Sequence, residues 1–166
     1  TRPLTRPLLY WTIELGPIIS SPVYEAGYLY VATMTGRIFC LDILRREIKW
    51  QQNIGSPIIS SLLVIDNMII CATFDSWVNS NSSENNLVCS LDKNDGSMIW
   101  KLQMRGDIFS SPCPTGKNIA LGSMDHNLYL LSSIGEIIWN FETNGPIWSS
   151  PSYHEGLLYF CSDDGL

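Results

Sequence analysis

The sequence predicts an all-β fold: a β-propeller of four-stranded antiparallel blades, present here in part. Three observations predict it. A glycine followed within a few residues by a Ser-Ser pair recurs at Gly16, Gly55, Gly106 and Gly145, at intervals of 39, 51 and 39 residues. A tryptophan precedes each of these glycines, at Trp11, Trp50, Trp100 and Trp139, at intervals of 39, 50 and 39. Between the landmarks, short runs of aromatic and β-branched residues alternate with turn-length connections that leave no room for a helix.

Residues 8–15 read as the outer strand of a preceding blade. Residues 16–54 form the first full blade. Ile18 to Tyr24 is an apolar-and-small inner run that ends at the turn Glu25-Ala26-Gly27. Tyr28 to Met34 is rich in strand formers, and Thr35-Gly36 closes a hairpin behind it. Arg37 to Ile43 follows, then a turn at Arg45-Arg46, then Glu47 to Asn53 with Trp50 on it. Residues 55–105 form the second blade, with strands at 58–65, 68–74, 87–92 and 97–103. An Asn/Ser-rich insertion at 75–86 separates its second and third strands and accounts for the one long interval. Residues 106–144 form the third blade, with strands at 107–113, 117–123, 127–132 and 136–142. Residues 145–166 supply the first two strands of a truncated blade, so the expectation is a fragment of a larger ring.

The recurring residues have physical reasons in such a ring. The inner strand crowds a narrow axis, where Ser-Ser fits and larger side chains collide. Proline is tolerated there because an edge strand need not donate every ladder hydrogen bond. Tryptophan on the outer strand offers a broad surface for the neighbouring blade. Glycine then permits the sharp passage to the next blade.

Composition narrows the function classes. Apolar residues make up 45% and charged residues only 16%, against a usual charged share of about 25%. The net charge of −6 leaves no basic footprint for nucleic acid or anionic lipid. No apolar run is long enough to span a membrane. The five cysteines, Cys40, Cys71, Cys89, Cys113 and Cys161, form no C-x-x-C pair and lie in apolar or small surroundings. They read as reduced core residues, which suits a cytoplasmic protein.

A search for chemistry returns no constellation. His126 and His154 fall in predicted turns, there is no G-x-S-x-G elbow, and the Asp-Gly turns lack calcium-loop spacing. The expectation is no catalytic residue, no bound cofactor and no metal site. One feature stands outside the repeat: Trp77, in the polar insertion, is a candidate anchor for a partner.

The segment Ser90-Leu91-Asp92-Lys93-Asn94-Asp95-Gly96-Ser97-Met98-Ile99-Trp100 resembles the A-x-D-x-x-T-G-x-x-x-W motif of the pyrroloquinoline quinone (PQQ)-type propeller repeats. Cys40 to Trp50 keeps Asp42 and Trp50 but has Arg45-Arg46 where Thr-Gly is usual. Near Trp139 the motif is one residue shorter, with Ser132 in the aspartate's place and Gly135 kept. The resemblance implies a propeller of usually seven or eight blades, of which about half is expected here, and it implies several settings. One is a non-catalytic interaction module whose partner is another protein or another domain of the same chain, as in the C-terminal propeller of the β-alanine-activating enzyme, an acyl-CoA synthetase relative. Another is the outer-membrane assembly lipoprotein. A third is a PQQ-dependent dehydrogenase, which would bring the quinone, calcium and a catalytic aspartate. No Cys-Cys pair of the kind many such dehydrogenases carry occurs here. The non-catalytic interaction module is the expected function.

Overall fold

The computed structural model describes residues 9–75 and 86–165. Among these the chain is a partial β-propeller with no helix. The first sheet runs β1 (Val23–Glu25), β2 (Tyr28–Ala32), β3 (Arg37–Asp42) and β4 (Glu47–Asn53), in that spatial order. The second is β5 (Leu63–Ile65), β6 (Met68–Ala72), β7 (Leu87–Asp92) and β8 (Met98–Gln103). The third is β9 (Cys113–Thr115), β10 (Asn118–Gly122), β11 (Asn127–Leu131) and β12 (Ile137–Glu142). A hairpin of β13 (Ser152–His154) and β14 (Leu157–Tyr159) closes the series. All neighbours are antiparallel, and β1, β5, β9 and β13 touch one another in that order, so the sheets share an axis.

Burial lies between blades. Tyr30, Ile38, Cys40 and Trp50 of the first sheet pack on Ile58, Ile69, Cys71, Cys89 and Leu91 of the second. Ile70, Ala72, Val88 and Met104 pack in turn on Ile108, Ile119, Leu121 and Tyr129. A middle sheet covered on both faces needs apolar residues on both faces, which explains the low charge.

One expectation is corrected. The inner strands are shorter than predicted: only Val23–Glu25, Leu63–Ile65 and Cys113–Thr115 join their ladders, while the Ser-Ser segments before them do not. Those segments send backbone groups to the neighbouring blade, as when Ile58 N–H donates to the Thr33 carbonyl and Ile108 N–H to that of Thr73, each at 3.3 Å. Residues 9–15, within the segment read as the outer strand of a preceding blade, form no ladder among the described residues. Trp11 and Leu15 instead pack on Val31, Phe39 and Leu41. The insertion's residues 76–85, with Trp77, lie outside the described residues.

Candidate interaction surfaces

The repeated tryptophans form a docking device. In each sheet the register shifts immediately before the tryptophan, leaving Lys49, Ile99 and Ile138 as bulge residues. A bulge bends the strand and re-aims the next side chain. Trp50 consequently reaches the second blade, where its Nε1–H donates to the Lys93 carbonyl at 3.1 Å. Its ring covers Gly96, on which a Cβ would come within 2.6 Å of Trp50 Cε3. Trp100 repeats this on the third blade, donating to the Ser133 carbonyl at 2.9 Å and covering Gly135. The turn glycines have φ of 75° and 84°, a left-handed conformation that suits glycine.

The first blade departs from this pattern where its sequence does. Arg46 takes the glycine's place with φ of 59°, and its guanidinium lies 4.4 Å over the Tyr10 ring. Trp11 is held in the apolar contact described above rather than on a turn glycine. The turn itself is pinned by Asp42, whose Oδ1 accepts from the N–H of Arg45 at 2.9 Å and of Leu44 at 3.0 Å. Those bonds, the Arg45 N–H first and its guanidinium next, hold the Asp42 carboxyl below the usual carboxylate range.

The four repeat glycines divide by cause. Gly16 and Gly55 have φ of 96° and 94° in open space, whereas at Gly106 and Gly145 a Cβ would meet the backbone nitrogens of Asp125 and Asp164 at 2.5 and 2.7 Å.

The two serines of a Ser-Ser pair make different connections. The first hydroxyl stays within its blade: Ser20, Ser60, Ser110 and Ser149 donate to the carbonyls of Ala32, Ala72, Gly122 and Cys161. The second joins blades around the axis. Ser61 Oγ accepts from Ser21 N–H at 3.3 Å, Ser111 Oγ from Ser61 N–H at 2.9 Å, and Ser150 Oγ from Ser111 N–H at 2.8 Å. Sequence reasoning explained the serines by size and missed this chain. The signal was available in the second serine, since crowding alone would accept alanine.

Trp139 belongs to a different environment. It is 39% exposed, and with Phe141, Leu128, Leu158 and Phe160 it lines an apolar groove of about 410 Å³. Phe141 and Phe160 meet edge to face at 6.0 Å. The groove lies between the third blade and the β13–β14 hairpin, beside which no further strand stands among the described residues. Trp148, 53% exposed, stacks on Phe109 at 4.9 Å, and Phe109 touches Phe74.

A polar cleft of about 380 Å³ opens between the second and third blades, lined in part by Arg105, Asp125, Asn127, Tyr129, Asn140 and Glu142. Tyr129 Oη–H donates to Asp125 Oδ2 at 2.7 Å, and Asn140 Nδ2 donates to Asn127 Oδ1. Burial first, then Asp125, raises the Tyr129 hydroxyl well above its ordinary value. His126 lies on an exposed turn, whereas His154, expected in a turn, is the exposed last residue of β13 and faces Glu155 at 3.7 Å. Among the described residues no three His, Cys, Asp or Glu side chains converge on a point.

Comparison with known proteins agrees with this geometry. A family model described as outer membrane protein assembly factor BamB matches residues 8–112 and again 84–166. The BamB of Legionella pneumophila (strain Paris) is 24% identical over 157 residues, covering 92% of this chain and 37% of that protein. The crystal structure of BamB from Moraxella catarrhalis superposes with a TM-score of 0.75 at 23% identity, over 94% of this chain and 46% of that one. A europium-containing methanol dehydrogenase superposes with a TM-score of 0.65 at 17% identity, over 82% of this chain and 27% of that one. The chain therefore spans less than half the length of these proteins.

Proposed function

Starting from the fact that this chain belongs to the PQQ-like β-propeller repeat family described as outer membrane protein assembly factor BamB, we propose that it is part of a non-catalytic propeller scaffold that binds a protein partner or another domain of its own chain. The observation that carries this reading is Trp139: its sister tryptophans, behind the same bulge, dock on the turn of the following blade. Trp139 and its apolar groove are thus shaped to receive a β-hairpin with a left-handed turn glycine under the indole, from the chain's own following strands or from a partner. The relatives named for outer-membrane protein assembly, rather than for a reaction, support a binding role. The narrower setting, a module attached to an adenylate-forming enzyme, rests on the texture of the cysteine-bearing repeats alone.

The test uses a synthetic peptide of residues 87–103, the chain's own hairpin around Gly96. Saturable binding with a change in tryptophan fluorescence is expected, weak because an isolated hairpin must be ordered on binding. Trp139→Ala should abolish it. Unaltered binding by that variant, or none by the parent chain, overturns the proposal. Titration with pyrroloquinoline quinone and calcium is expected to release no heat of binding, and stoichiometric uptake would replace the scaffold reading with a redox one.

A further inference from the structure

In the antiparallel pair β6–β7, Cys71 and Cys89 are direct cross-strand partners. Thr73 N–H donates to the Leu87 carbonyl and Lys93 N–H to that of Asn67, each at 2.9 Å. Residues two apart along an antiparallel ladder share the same kind of site, so Cys71 and Cys89 form a hydrogen-bonded pair. Such pairs hold their Cα atoms about 5.5 Å apart, within the span of a disulfide. Both side chains project to the same face and both are fully buried. The influence of each thiol on the other, with burial, pushes Cys71 well up, while Cys71, with Lys101 adding to it, holds Cys89 below the ordinary thiol value.

The sister blades show that the pair is not a repeat requirement. At the same register they place Val31 opposite Phe39 and Leu121 opposite Tyr129. Only the second blade carries two small sulfur-bearing residues, and it is also the blade whose β6–β7 connection holds the insertion.

We propose that Cys71 and Cys89 form a redox-dependent disulfide that staples the second blade at the base of the insertion. The oxidant is a small-molecule or protein disulfide. The Cys89 thiolate attacks one of its sulfurs and expels the first thiolate, and the Cys71 thiolate then attacks Cys89 Sγ and expels the second. Two protons leave the protein thiols, two electrons reduce the donor to two thiols, and one S–S bond is exchanged for another. Because both sulfurs are buried, reaction follows local opening of the hairpin.

The test equilibrates the chain with oxidised and reduced glutathione, quenches with acid, blocks free thiols and maps peptides without reduction. A Cys71–Cys89 linked peptide is expected under oxidising ratios, reversed under reducing ones. The linked chain should melt about 5–10 °C above the reduced one, since the bridge closes a loop containing the insertion. Both thiols recovered free at the most oxidising ratio, or joined to Cys40, Cys113 or Cys161 instead, overturns the proposal, and so does a linked chain with an unchanged midpoint. The Cys71→Ala/Cys89→Ala variant should lose the redox dependence of the midpoint. If that variant does not fold, the peptide map of the parent chain decides alone.

Discussion

Strands β4 and β12 hold the same place in their blades, each with a bulge and then a tryptophan, yet Trp50 is 8% exposed and Trp139 is 39% exposed. The strands are built alike. What differs is the neighbour: Trp50 meets Gly96 and the Lys93 carbonyl, and Trp139 meets a groove. The isoleucines near the repeat glycines show the same contrast at the other edge, with Ile18 exposed and Ile58, Ile108 and Ile147 fully buried behind a preceding blade. A repeat therefore encodes a capacity to dock. Whether that capacity becomes core or binding surface depends on what stands opposite.

The largest expected effect separates these two tryptophans. Trp50→Ala should cost about 3–5 kcal/mol, the usual range for emptying a buried aromatic site. Trp139→Ala should cost less than about 1 kcal/mol, because little is packed against it. Midpoints of guanidinium unfolding at constant slope measure both. Equal losses would mean that the groove is no more open than the interior interfaces.

The next effect sharpens the reason for the turn glycine. At Gly135 a Cβ would lie 2.6 Å from the Trp100 ring, and φ is 84°. Gly116 has φ of 74° with nothing within 4 Å. Gly135→Ala should cost about 2–3 kcal/mol, combining backbone strain with displacement of the indole, and Gly116→Ala about 1 kcal/mol from strain alone. If the two variants melt alike, close approach of the ring is not what selects glycine.

These contrasts also show what was legible in the sequence. The blade order, the hairpin turns and the docking residues were readable because each repeats, so one residue's role is tested by its sisters. The departure at Arg45-Arg46 was visible too, and the structure gives it a consequence in the contact of Arg46 with Tyr10. The inner strands were overextended because Ile-Ile-Ser-Ser has strand composition, while its hydrogen bonds go to another blade. Residues 8–15 were read as an outer strand from their place in the repeat, and its ladder partner would belong to a preceding blade that the described residues do not hold. The polar cleft escaped because Asp125, Asn127 and Tyr129 converge with Arg105 only once two blades are side by side.

The smallest effect concerns the serines at the axis, and it returns to the contrast between edge and interior. Ser111 Oγ accepts the Ser61 N–H at 2.9 Å across an interface, so Ser111→Ala leaves a part-buried amide without its acceptor. The expected cost is about 1 kcal/mol. Ser21 stands at the first edge. It gives its N–H to Ser61 Oγ, but among the described residues no amide donates to its own hydroxyl. Ser21→Ala should therefore shift stability by less than about 0.5 kcal/mol. Amide hydrogen exchange distinguishes this account from a packing effect, because removing the acceptor frees one particular N–H. Exchange at Ser61 should quicken in Ser111→Ala and remain unchanged in Ser21→Ala. Uniform quickening through β5 and β6 would instead make the second serine a spacer between blades, as its size alone suggested.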